Sequence, residues 1–229
     1  MNPQHAPQCD TDVIIPAHNA GAYIEETLES VLSQSVLPKH IVVINDRSTD
    51  NTEAIVRKIS AGSPVPIILM QSTGKGPAAA RNTGLKASSS EFIAFLDADD
   101  LWKPTKLENQ MGLFQKDPHT GFVYCGFEYC DEIGEAIPTS LSHIHPTRGN
   151  DPKVFLSDNS IVPTPGVLLV RRSALEAVGW FDESLIYTED WDLLIRLGLR
   201  FPFDYVDEKL VLITDTLDLV IGVKDFTFI

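Results

Sequence analysis

The chain has 229 residues, a formal net charge of −14 at pH 7 and 43% hydrophobic residues. A chain of this length and apolar content can bury a sizeable core, so it is predicted to fold over most of its length. Its acidic charge argues against the basic surfaces that bind nucleic acid or anionic membranes.

The three cysteines, Cys9, Cys125 and Cys130, have no metal-ligand spacing and are predicted to be the reduced thiols of a cytosolic protein. Residues 1–10 are polar and contain proline, unlike a signal peptide. No apolar run is long enough to cross a bilayer. We therefore expect a cytoplasmic protein, either free in solution or held peripherally at a membrane surface.

Strands and helices are predicted to alternate through the first 116 residues. Short apolar runs predict strands over residues 12–16, 40–44, 66–70 and 92–96, and the first, second and fourth of them are typical of buried parallel strands. Helical apolar spacing follows each run. The four predicted helices cover residues 20–35, the residues from Asp50 onward, residues 78–87 and the residues after Pro104, and the second begins with a capping-box pattern between Asp50 and Glu53. One helix between successive strands predicts an α/β fold with a mostly parallel central sheet flanked by helices.

The second half of the chain shows less regular patterns. We predict strands over residues 121–130, 166–170 and 209–213, loop or mixed structure over 131–160, a short helix from Ser173 to Val178 and a helix over 189–199. The predicted organisation is a tail (1–10), one domain with a regular first half (11–116) and a less regular second half (117–213), and a second tail (214–229).

An acidic stretch follows the fourth apolar run and contains Asp97, Asp99 and Asp100. The carboxyl ends of parallel strands border the binding crevice of α/β sheets, so Asp46, after the second run, should share that crevice. Carboxylates this close repel one another, and oxygen-only ligands suit Mg²⁺ or Mn²⁺. The alternative is an acidic turn before the helix that follows Pro104, since aspartate is common in turns.

The other candidate side chains also have two interpretations. Asp46 can begin an Asx turn or accept hydrogen bonds from a base or ribose. Arg81 can be a surface cation or pair with a pyrophosphate or carboxylate. Glu189 and Asp190 can stabilise a helix N-terminus, or Asp190 can be a general base.

Neither G-x-x-x-x-G-K-[ST] nor G-x-G-x-x-G occurs in the sequence, so the common glycine-rich phosphate loops are poor interpretations. Four aromatic residues lie near Glu189 and Asp190 in sequence and can be core or can stack on a sugar ring: Trp180, Phe181, Tyr187 and Trp191. The pair His143 and His145 is interpreted as part of a loop rather than a metal site.

Five sequence blocks together resemble family 2 glycosyltransferases, which have the GT-A fold. In order they are IPAHN at 15–19, INDRSTDNT at 44–52, ARNTG at 80–84, LDADD at 96–100 and TEDWDL at 188–193. The resemblance covers residues 12–211, and it implies that residues 11–116 are the nucleotide-sugar-binding half of the domain and residues 117–213 its acceptor-side half.

This resemblance implies an inverting transferase that uses a nucleotide-diphosphate sugar, with UDP-sugars favoured, and Mg²⁺ or Mn²⁺. It implies a glycan, lipid-linked or other hydroxyl acceptor, in cell-surface polysaccharide or glycolipid synthesis. The implied roles are nucleoside binding for Pro16, His18 and Asp46, a place beside the nucleotide for Arg81, ribose contact for Asp97, metal ligation for Asp99, substrate binding for Glu189 and Trp191, and base catalysis for Asp190.

One departure concerns residues 214–229, where such enzymes often carry an Arg or His that completes the diphosphate site. Only Lys224 is basic there. A non-catalytic or weakly active nucleotide-sugar-binding protein is therefore the main alternative. A sugar nucleotidyltransferase is the last choice, because residues 17–21 lack the glycine- and basic-rich loop expected of one.

Overall fold

The computed structural model describes residues 7–131, 136–137 and 164–214. The strands of this part are β1 Thr11–Ala17, β2 His40–Asn45, β3 Ile67–Gln71, β4 Phe92–Phe95, β5 Leu101–Trp102, β6 Phe122–Cys130, β7 Ala136–Ile137, β8 Leu169–Arg171 and β9 Phe203–Thr214. The helices are α1 Ile24–Leu32, α2 Thr52–Ser60, α3 Pro77–Ala87, α4 Lys106–Lys116, α5 Arg172–Val178 and α6 Glu189–Gly198.

All the described strands form one mixed sheet in the order β3-β2-β1-β4-β8-β6-β9-β5, with β7 paired to β6. In its first half, β1 pairs in parallel with β2 and β4, and β2 pairs in parallel with β3. Side chains of these strands such as Ile14, Ile15 and Val43 are fully buried. The predicted parallel sheet of the first half is confirmed, and the carboxyl ends of β1, β2 and β4 meet at one edge.

In its second half the sheet contains both strand directions. Strand β8 lies antiparallel between β4 and β6, β9 is parallel to β6, and β5 is antiparallel to β9. The predicted strand over 166–170 begins too early, because Pro165–Val167 form a 3₁₀ turn. Proline has no amide hydrogen for a ladder, and the Thr164 hydroxyl accepts the Gly166 amide instead.

The predicted helices form, with shifted ends. The predicted capping box at Asp50 is wrong. Asp50 accepts the Thr52 amide, whereas the Glu53 carboxylate pairs with Arg57 and makes no capping hydrogen bond at the start of α2. Helix α5 likewise begins at Arg172 without the predicted Ser173 cap. Of the predicted loop, 136–137 form β7, while 132–135 and 138–160 lie outside the described residues, as do both predicted tails except residues 7–10 and Thr214.

The three cysteines are unpaired, as predicted. No helix within the described ranges is both long and apolar enough to span a bilayer.

Helix α3 lies unusually close to the sheet. A Cβ atom at Gly84 would come within 2.5 Å of the Ile14 side chain, so only glycine permits this approach to β1. The close packing places Arg81, on the same helix, against the edge where the strands end.

Candidate functional site

A pocket of about 580 Å³ lies at the carboxyl ends of β1, β2 and β4. Six of the predicted site residues line it: Pro16, His18, Asp46, Arg81, Asp97 and Asp99. The remaining wall comes from Ala17, Asn19, Ala20, Tyr23, Lys75, Gly76, Pro77, Ala80 and Ala98. The prediction that Asp46 and the acidic strand end share one crevice is confirmed.

Asp46 is buried and held at both carboxylate oxygens. Its Oδ1 accepts from Arg47 Nη1 at 2.7 Å, and its Oδ2 accepts from the Gly76 amide at 2.8 Å. A carboxylate has about four lone-pair sites, so it can still accept from a ligand. These contacts join the end of β2 to the glycine loop before α3.

His18 lies beside Asp46, with 2.6 Å between His18 Nδ1 and the Asp46 carbonyl oxygen. Because a carbonyl only accepts, Nδ1 donates to it, and Nε2 lies 3.3 Å from Asn19 Nδ2. Contacts at both ring nitrogens therefore hold the imidazole at the pocket wall.

Gly76 has φ 87° and ψ 173°, a conformation nearly restricted to glycine. This backbone turns the chain into α3, which begins at Pro77. The same turn directs the Gly76 amide to Asp46 and leaves Lys75 exposed at the pocket rim.

The three carboxylates of the acidic stretch have different surroundings. Asp97 Oδ1 accepts from Arg81 Nη2, and Oδ2 from Thr164 Oγ1, each at 2.7 Å. Burial raises the pKa of Asp99, and the charge of Asp97 raises it further. Burial, with the charges of Asp97 and Asp99, raises the pKa of Asp100 well above its usual range, and its Oδ1 accepts the Thr214 amide. Asp100 thus anchors the end of β9.

Asp99 has the donor chemistry that a hard divalent cation prefers. Its carboxylate lines the pocket, and a cation would relieve the repulsion from Asp97 that raises its pKa. Within the described ranges, no group of three or more His, Cys, Asp or Glu side chains is arranged to hold a metal ion. Asp99 therefore fits as one ligand of a cation rather than as part of a complete protein cage.

Arg81 is 5% exposed and bridges two carboxylates. Its Nη1 donates to Glu189 Oε1 at 2.8 Å, and its Nη2 donates to Asp97. Burial acts to lower the pKa of Arg81, but Asp97 and Glu189 raise it above its usual value. The guanidinium therefore joins the end of β4 to the first residue of α6.

Asp190 follows at the start of α6. Its pKa is raised, chiefly by burial and further by Glu189 and Asp97, while the Trp191 amide at 2.7 Å and Arg81 lower it. A partly buried carboxylate with a raised pKa is suited to general base catalysis. Glu189 is only 7% exposed, which leaves it little surface for a substrate, and the Trp191 side chain is not part of the described pocket wall.

Several residues of this site were not predicted from the sequence. Tyr23 and Lys75 line the pocket, and Thr164 donates to Asp97. Lys75 lies in a glycine-rich loop, a pattern that can mark a binding loop. Thr164 carries no local signal, because it reaches Asp97 across 67 residues of sequence.

The chain is similar to known proteins both in sequence and in fold. Residues 12–179 match the model of glycosyl transferase family 2. The chain belongs to this family. A relative named as an uncharacterized glycosyltransferase from Rickettsia typhi is 32% identical over 207 residues, which cover 87% of this chain and 62% of the relative. Another from Nostoc sp. is 35% identical over 187 residues, which cover 76% and 58%. This family 2 chain thus spans about three fifths of those relatives.

Solved structures confirm the predicted GT-A fold. S. aureus TarS in complex with UDP has a TM-score of 0.73 and 25% identity, over 89% of this chain and 60% of that one. TarS in complex with UDP-GlcNAc gives the same TM-score and identity, over 90% and 58%. The mannosyltransferase PcManGT from Pyrobaculum calidifontis, in complex with GDP-Man and Mn²⁺, has a TM-score of 0.66 at 21% identity, over 92% and 57%, a likeness of fold alone.

Proposed function

We propose that this chain is an inverting glycosyltransferase that moves a sugar from a UDP-sugar to an acceptor hydroxyl. One observation carries the proposal: the pocket places Asp46, Asp97 and Asp99 at the ends of parallel strands, and Arg81 ties this pocket to the helix that bears Asp190. Membership of family 2 and the UDP-GlcNAc complex of TarS support it.

The nucleoside is proposed to bind at the end of β2. The carboxylate of Asp46 can accept the ring N–H of a uracil, and Asp97 can accept ribose hydroxyls. Pro16 and His18 complete this wall of the pocket.

The diphosphate is proposed to bind with a cation. The pocket wall holds the carboxylates of Asp46, Asp97 and Asp99 against Arg81 and Lys75, and both terminal nitrogens of Arg81 already bond to carboxylates. Adding a diphosphate to such an acidic site requires a compensating positive charge. Mg²⁺ or Mn²⁺ at Asp99 would share the phosphate oxygens and stabilise the departing diphosphate. Lys75 supplies a further positive charge at the rim.

Asp190 is proposed to act as the base on the acceptor side. It takes the proton of the acceptor hydroxyl as the oxygen attacks the anomeric carbon opposite the diphosphate. The bond from that carbon to the diphosphate oxygen breaks, its electron pair leaves with UDP, and the configuration inverts. The raised pKa of Asp190 makes it a stronger base than an ordinary aspartate.

The acceptor is proposed to be a glycan or lipid-linked hydroxyl of cell-surface polysaccharide or glycolipid synthesis. The proposed setting is the cytoplasm or the cytoplasmic face of a membrane. Family resemblance is the support for both statements.

Release of UDP from UDP-GlcNAc with Mn²⁺ tests the proposal, since water can replace the acceptor. Wild-type protein is expected to release UDP slowly and faster with a suitable acceptor. Asp190→Asn should bind UDP normally but release it about 10²–10⁴-fold more slowly, the usual contribution of a general base. Asp117→Asn, an exposed aspartate after α4, is the matched control.

Equal rates for wild type and Asp190→Asn would show that Asp190 is not the base. Binding of UDP without turnover of any UDP-sugar would favour a non-catalytic binding protein. Failure to bind UDP would contradict the proposal as a whole.

A further inference from the structure

Two consecutive residues of α3, Arg81 and Asn82, contact the two ends of residues 181–189, which we term the connecting segment. At its first end, Asn82 Nδ2 donates to the Phe181 carbonyl at 2.9 Å and Asn82 Oδ1 accepts the Phe181 amide at 3.1 Å. At its last end, Arg81 Nη1 donates to Glu189 at 2.8 Å. One turn of helix therefore holds both ends of the segment.

The segment is buried where it is held and exposed between. Phe181 is 4% exposed and Glu189 7%, whereas Ile186 and Tyr187 are 79% and 81% exposed. An additional bond joins Asn82 Nδ2 to Glu183 at 2.9 Å. The contacts of α3 thus fix the two ends of a segment whose middle is exposed.

We propose that Arg81 and Asn82 are positioning residues that clamp the connecting segment and so fix Asp190 beside the donor pocket. This inference rests on the proposed function, because it concerns the place of the proposed base. Asp190 directly follows the clamped Glu189, and Asp97 of the pocket shares the same guanidinium. The clamp therefore joins the donor side of the site to the acceptor side.

Arginine suits this position better than lysine. Its planar fork donates through two nitrogens at once to Asp97 and Glu189, whereas an ammonium is a single point of charge. The contact with Glu189 is buried and the contact with Asp97 is partly buried, and an uncompensated carboxylate is costly in such surroundings. Arg81→Lys should therefore keep only part of the bridge between Asp97 and Glu189.

The clamp can be tested without activity by amide hydrogen exchange. Glu189→Gln, Arg81→Lys and Asn82→Ala should each raise exchange across 182–190 by about tenfold or more, since losing a charge-assisted or buried bond shifts an opening equilibrium by that order. The control is Arg57→Met, which removes an exposed ion pair with Glu53 on α2. Wild-type exchange across 182–190 in all three variants would overturn the clamp, and so would an increase spread evenly over the whole chain.

Turnover separates the clamp from a general structural role. Asn82→Ala and Glu189→Gln should lower kcat for UDP release by up to about 10²-fold, as expected when a catalytic group is displaced, with KM for UDP-GlcNAc unchanged. A rise in KM with unchanged kcat would overturn the positioning role. If wild-type protein releases no UDP but the variants still loosen 182–190, the proposed function fails and the clamp stands.

Discussion

Replacing Lys106 by methionine is expected to change how the stability of the protein depends on pH. Lys106 is fully buried, its Nζ donates to Gln110 Oε1 at 2.8 Å and lies 4.0 Å from the centre of the Trp102 ring. Burial lowers the pKa of Lys106 from 10.5 to about 8. The folded protein therefore carries a desolvated charge at pH 7.

The size of the effect follows from this shift. Below pH 8 Lys106 is protonated in both the folded and the unfolded state. The folded state then bears the whole free-energy cost of burying the charge, about 3 kcal/mol for a fall of the pKa from 10.5 to about 8. As the pH rises above 8, the folded state loses its proton first and wild-type stability increases, by roughly 1 kcal/mol between pH 7 and 9. Methionine removes the charge and the titration but leaves Gln110 without its donor, at about 1–3 kcal/mol.

Urea unfolding at pH 7 and pH 9 measures the free energy of unfolding of wild type and of Lys106→Met at each pH. Lys106→Met should be at least as stable as wild type at pH 7, and this advantage should shrink by roughly 1 kcal/mol at pH 9. Lys58→Met is the control, because the Lys58 side chain on α2 is 76% exposed. Its difference in stability from wild type should be the same at pH 7 and pH 9. A difference between Lys106→Met and wild type that does not change with pH would refute the reasoning.

Three further predictions concern the site. Asp190 must be ionised to act as a base, and burial raises its pKa, so turnover should be lost on acidification with a midpoint above pH 3.8, the ordinary pKa of aspartate. A pH–rate profile without that acid limb would contradict this. Gly76→Ala forces an L-residue into φ 87° and should cost about 1–3 kcal/mol in urea unfolding and weaken UDP binding, unlike Gly112→Ala, where a Cβ meets nothing within 4 Å. Thr164→Val removes a charge-assisted bond to Asp97 and should destabilise the protein by about 1.5–3 kcal/mol, and Thr164→Ser should restore most of this loss.

The first half of the fold was predictable because three of its strands, β1, β2 and β4, are buried on both faces. Residues 41–45 of β2, for example, are all buried, and such strands appear in the sequence as plain apolar runs between helical patterns. The second half has no such signal. Strand β9 contains three exposed residues, 207–209, beside a register shift at Gly126, so its twelve residues do not alternate regularly. Strand β5 has two residues and forms only because β9 lies beside it.

The pocket carboxylates were predictable for the same reason, since their positions follow from where β2 and β4 end. The partners of Arg81 were not. Arg81 bonds to Asp97 and to Glu189, which is 108 residues away in sequence. Such a pairing depends on how the start of α6 is placed against α3, and no local pattern encodes it.

Calorimetric titration of UDP, with Mn²⁺ and with EDTA, tests the central claim most directly. Wild-type protein is expected to bind UDP with Mn²⁺ and to lose most of its affinity in EDTA, because the proposed cation at Asp99 would supply the positive charge that the diphosphate needs. Asp99→Asn should bind UDP weakly and equally under both conditions. Equal binding by wild type with and without Mn²⁺, or full metal dependence in Asp99→Asn, would contradict the proposed donor site.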